Sequence, residues 1–128
     1  RSHLLASGSA DKTVKLWDLN TLQCSSTISV HSDKVQWQQF NPAEPAALAT
    51  ASYDRTLVVS DVRTVASAGS SRGARFSLPA DVESVAWYPH NPALLIVRTA
   101  TLFAPSRAYS LSLFLSAGLL RQWHCARL

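Results

Sequence analysis

The chain has 128 residues, 47% of them hydrophobic and 16% charged, with a net charge of +4. That composition suits a globular β protein, and its two cysteines, Cys24 and Cys125, form neither a disulfide framework nor a zinc spacing. Residues 1–83 carry eight basic and eight acidic side chains, while residues 84–128 carry four arginines and no acid, so the excess charge is a compositional shift without a clustered nucleic-acid face.

In chain order, residues 5–9 are small and apolar and predict a strand. Residues 10–12 predict a tight turn in which the Asp11 carboxylate accepts backbone N–H bonds. Residues 13–17 leave as a β-rich strand, with none of the three- and four-residue apolar spacing of a helix. Residues 24–30 alternate loosely and predict an outer strand; His31 follows in a loop. Residues 35–40 read as an inner strand, stopped at Asn41-Pro42. Residues 48–52, a turn carrying Asp54, and residues 56–60 then repeat the opening hairpin.

The repetition is specific. At an offset of 43 residues, Leu, Ala, Ser, Asp, Thr and a closing Asp coincide at positions 5/48, 6/49, 9/52, 11/54, 13/56 and 18/61. Lys12/Arg55, Val14/Leu57 and Leu16/Val59 match in character. A partial third copy lays residues 35–48 on 82–95, with Phe40, Pro42, Pro45, Ala46 and Leu48 against Trp87, Pro89, Pro92, Ala93 and Leu95.

A period of about 40–45 residues closing on Trp17-Asp18 resembles the WD40 repeat. The resemblance implies an all-β fold: a partial β-propeller of about two to three blades of four-stranded antiparallel sheet, and not a closed ring, which takes about four to eight blades. Blade 1 is expected at about residues 1–30, blade 2 at 31–78 and the start of blade 3 at 79–98, within a partial propeller spanning 1–98. Residues 99–128 are expected to be a divergent tail, because the third copy has Thr101 where a turn Asp belongs.

Three short motifs invite catalytic or ligand readings. His31, Ser52 and Asp54 supply the letters of a hydrolase triad, but the resemblance implies a structural network instead. In it the turn acids Asp11 and Asp54 join the strand hydroxyls of Ser7 and Thr50, the indole of Trp17 and the loop His31. Ser60 stands where Trp17 stands in the first copy, so the second network is expected to be incomplete. Gly69-x-Ser71-x-Gly73 has the letters of a nucleophile elbow without the required strand before it and helix after it. The repeated Pro-x-x-Pro reads as an inter-strand loop rather than a ligand for an SH3-type domain. Neither a catalytic residue nor a metal or cofactor site is expected. Arg63, Arg72 and Arg75 flank a small, polar loop insertion and are candidate contacts for an acidic partner or RNA phosphate.

Two segments narrow the resemblance. Residues 31–36 with 51–56, and Asp81-Val82-Glu83-Ser84 running to Trp87, resemble the periodic tryptophan protein branch of the WD repeats, over about residues 4–97. That resemblance implies a nuclear and nucleolar scaffold without enzymatic activity, working in ribosome biogenesis and ribosomal RNA transcription with chromatin contact. Its expected partners are pre-ribosomal or chromatin proteins, with no membrane and no small-molecule substrate. The competing reading is a substrate receptor of a cullin-type ubiquitin ligase. Asp61-Val62-Arg63 supplies the last three positions of that group's Trp-Asp-x-Arg motif, but Ser60 replaces the Trp.

Overall fold

The computed structural model describes residues 3–63, 73–78, 80–91, 94–100, 108–115 and 120–126. Its regular structure is three antiparallel sheets. The first holds β1 (Leu4–Gly8), β2 (Val14–Asp18) and β3 (Gln23–Ile28), in that order. The second holds β4 (Val35–Phe40), β5 (Ala47–Ser52), β6 (Thr56–Asp61) and β7 (Gly73–Ser77). The third runs β8 (Val82–Trp87), β9 (Leu94–Ala100), β10 (Ala108–Leu115) and β11 (Leu120–Ala126).

The strands follow from side-chain period and turn chemistry. Ala6 pairs with Leu16 and Gly8 with Val14, so these residues share one face of the first sheet, while Leu5, Ser7, Lys15 and Trp17 share the other. The equivalent pairing in the second sheet puts Ala49 opposite Val59 and Leu48 opposite Ser60. β5 is buried along nearly its whole length because other sheets cover both its faces. Val14, Leu16, Ile28, Val35 and Leu48 close the core between the first two sheets. Ala49, Ala51 and Leu57 meet Val85, Trp87, Leu95 and Val97 in the core between the second and third.

Polar contacts fix the sheets to one another. The Val35 N–H donates to the Ser9 carbonyl at 3.0 Å. The Trp87 indole donates to the Gln39 carbonyl at 3.2 Å. A Cβ at Gly8 would lie 2.8 Å from Val35 Cγ1 and 2.5 Å from Gln38 Oε1, so this close approach of β1 to β4 needs glycine.

One feature differs from the sequence reading. The third sheet continues past residue 98 as the β10–β11 hairpin, inside the segment expected to diverge. Alternation of Leu111, Leu113 and Leu115 with Ser110 and Ser112 carries a strand period without the turn Asp that marked the earlier copies. The first sheet has three strands, β1–β3.

Candidate functional site

The best-connected polar cluster among the described residues lies in the second sheet. Asp54 sits in the β5–β6 turn, where its Oδ1 accepts from the Thr56 N–H at 2.9 Å and the Thr56 hydroxyl at 2.6 Å. Its Oδ2 accepts from the Ser32 N–H at 2.9 Å and lies 3.1 Å from His31 Nδ1. His31 Nε2 is 2.8 Å from the Thr50 hydroxyl. The His31 side chain is fully buried and that of Asp54 is 5% exposed.

Electrostatics sets the protonation. Burial holds the His31 imidazole below its ordinary range and outweighs the pull of Asp54 in the other direction. At Asp54 burial pushes the carboxyl up, but hydrogen bonds from Thr56 and Ser32, with the attraction of His31, overcome it and leave the group lowered. An ionised carboxylate only accepts, so Nδ1 carries the imidazole proton and Nε2 accepts from the Thr50 hydroxyl.

This acid–imidazole–hydroxyl chain has the connectivity of a hydrolase triad with Thr50 in the nucleophile's place. Thr50 is 0% exposed, and a nucleophile must reach its substrate. The Ser52 hydroxyl of the sequence-level triad instead donates to the Asp33 carbonyl at 2.9 Å. The arrangement ties a loop, a turn and two strands together.

In the first sheet the predicted residues are divided. The Trp17 indole donates to Ser7 Oγ at 2.9 Å. Asp11 accepts from the Thr13 N–H at 3.0 Å and the Thr13 hydroxyl at 2.6 Å, but contacts neither Ser7 nor Trp17. The hydroxyls of Thr13 and Thr56 and the Ser9 and Ser52 side chains complete the two turns. Sequence reasoning did not assign them, although the 9/52 and 13/56 coincidences carried the signal.

Arg63 is clasped by Asp61, through Nε at 3.0 Å and Nη2 at 2.7 Å. Arg75 donates to the Val30 carbonyl. Arg72 and the Gly69-x-Ser71 motif lie outside the described residues. Among the described residues no cluster of three or more His, Cys, Asp or Glu side chains is placed to hold a metal ion.

A family model described as "WD domain, G-beta repeat" matches residues 1–18, the part containing the first hairpin. The chain carries WD40 repeats. These repeats are 34% identical over 97 residues to a periodic tryptophan protein 1 homolog of Drosophila melanogaster, covering 76% of this chain and 21% of the relative. They are 45% identical over 79 residues to a histone acetyltransferase type B subunit 2 of Aspergillus fumigatus, covering 54% of this chain and 18% of that one. The chain thus spans about a fifth of the length of these curated relatives. Among solved structures, a chain in the crystal structure of the mitotic checkpoint complex aligns with a TM-score of 0.73 and 23% identity, covering 94% of this chain and 35% of that one. That likeness shows the fold. Among the described residues the three sheets do not close into a barrel.

Proposed function

We propose that this chain is a non-enzymatic protein-interaction scaffold acting in ribosome biogenesis and ribosomal RNA transcription, in the nucleus and nucleolus. The observation that carries the pathway is the similarity to the periodic tryptophan protein, which extends over 76% of the chain. The mechanism is rigid display. The Asp54–His31–Thr50 cluster locks one blade, and loops on the locked scaffold bind protein partners. The structural role of Ser7, Asp11, Trp17, His31, Thr50 and Asp54, and partner contact through Arg63, Arg72 and Arg75, belong to this reading.

A second reading, histone or chromatin contact, is favoured by the similarity to the histone acetyltransferase subunit. One experiment separates the two. The tagged chain is expressed in cells, and nuclear extract is resolved on a sucrose gradient, with histone-bound fractions probed in parallel. Co-sedimentation with pre-ribosomal particles is the expected result. Recovery with histones alone would replace the first reading by the second, and recovery with neither would end both.

A further inference from the structure

Arg75 lies on β7, opposite Val58 of β6, which is itself opposite Thr50 of β5. Residues on one rung share a face, so Arg75 stands on the face where His31 meets Thr50. Its side chain is exposed, yet Nη2 donates to the carbonyl of Val30, 45 residues away in sequence and next to His31. An exposed arginine therefore fastens the loop that carries a buried imidazole. A carbonyl is a neutral acceptor, and a guanidinium bonds a carboxylate more strongly, through two parallel hydrogen bonds. An acidic partner can displace this contact.

The imidazole can also take a proton in place. Nε2 lies 2.8 Å from Thr50 Oγ1, which is 3.4 Å from the Val58 carbonyl. When Nε2 gains a proton it donates to Thr50, and the hydroxyl turns to Val58. Nδ1 keeps Asp54 and Thr56, each at 3.1 Å. Burial is the main reason the imidazole resists the proton; Asp54 pulls the other way, and the Arg75 charge adds to the burial. Of the other charged groups around the loop, Arg55 is paired with Asp81, and Asp33 and Lys34 are exposed on the loop itself. Towards the first sheet, Val30 packs on the apolar cluster of Val14, Leu16 and Ile28.

We infer that Arg75 is a displaceable latch on the His31 loop, and that its capture by an acidic protein segment is coupled to proton uptake at His31 Nε2. Capture neutralises a like charge beside the imidazole, and a charged imidazole in turn repels the latched guanidinium, so each event favours the other. The inference rests on the reading of Arg75 as a partner contact. A protein segment fits better than RNA, because residues 1–83 balance eight basic against eight acidic side chains and offer no basic face.

The test follows the His31 ring signals by NMR as the full chain is titrated with acid, with H31Q identifying them. R75Q should move the His31 titration to higher pH, and R75K, which keeps the charge, should leave it near the wild-type position. The probe for the acidic segment is a hexa-aspartate peptide, ionised above about pH 5. It should bind the wild-type chain about tenfold or more tighter than R75Q, and at saturation should raise the His31 titration as R75Q does. Its affinity should increase about threefold as His31 takes its proton. An unchanged titration in R75Q, an equal shift in R75K, or unfolding before His31 titrates would each overturn the inference. Peptide binding that R75Q abolishes but that leaves His31 unmoved would overturn the coupling and keep the contact reading; absent binding, or equal binding to R75Q, would end that reading as well. Tighter binding of an oligouridylate than of the peptide would overturn the choice of a protein segment.

Discussion

At His31 and Asp54 the chemistry of two residues becomes a pH dependence of stability. Burial lowers His31 from its ordinary 6.5, so between that value and the folded one the unfolded state binds more protons. Its contribution is therefore complete above pH 6.5 and is lost as the pH falls through the folded value. Asp54, lowered from 3.8 by the hydrogen bonds that overcome its burial, adds a further loss only below pH 3.8. Urea midpoints should hold steady from pH 8 to about 7, then fall in two stages. In H31Q the upper stage should disappear; an unchanged profile would show that another group titrates there. D54N should cost about 2–3 kcal/mol at pH 7, since it removes a charged acceptor from a buried imidazole. The opposite sign is expected where a buried hydroxyl is wasted. Ser60 Oγ and Thr99 Oγ1 are buried without a hydrogen-bond partner among the described residues. S60A and T99V should each leave stability unchanged or raise it by up to about 1 kcal/mol. A clear loss in either would reveal a bond to that oxygen.

At the scale of the element, the tight turns decide which residues are tolerated. Lys12 and Arg55 occupy equivalent turn positions with φ of 74° and 63°. That left-handed conformation favours glycine and penalises a β-branched side chain. The Arg55–Asp81 ion pair spans 3.6 Å between half-exposed groups and contributes little. R55G should therefore stabilise by about 0.5–1 kcal/mol and R55V destabilise by about 1–2 kcal/mol, read from thermal midpoints. These hairpins were legible because Asp, Ser and Thr recur at one offset and perform the same turn bonds in both copies. The third sheet was less so, since its second hairpin lacks the turn acid and leaves only an alternation of leucine and serine. Sequence alone placed His31 in the second blade, at about residues 31–78, without naming its acid. His31 lies between the two turn acids, at 20 residues from Asp11 and 23 from Asp54. Only the placement of its loop beside β5 decides for the second.

At the scale of the molecule, each sheet rests on its sequential neighbour, so stability is a sum of sheet and interface terms, as in other repeat proteins. The second sheet contributes to both apolar clusters, with Leu48 facing one way and Ala49, Ala51 and Leu57 the other. The first sheet has one covered face and an uncovered one, where Leu5 is 53% exposed while its counterpart Leu48 is 0% exposed. Opening the first sheet alone breaks one interface, whereas opening the second breaks two. Native-state hydrogen exchange should therefore rank β5 and β6 amides as the most protected and β1–β3 amides as less so, by the free energy of one interface. Leu48→Ala removes a fully buried side chain from the interface between these sheets and should cost about 2–4 kcal/mol. Its effect discriminates two models of unfolding. If the sheets unfold stepwise, L48A accelerates exchange in β1–β3 well before it lowers protection in β9. If they unfold as one unit, every slow amide in the three sheets accelerates by the same factor. The single interface of the first sheet predicts the former.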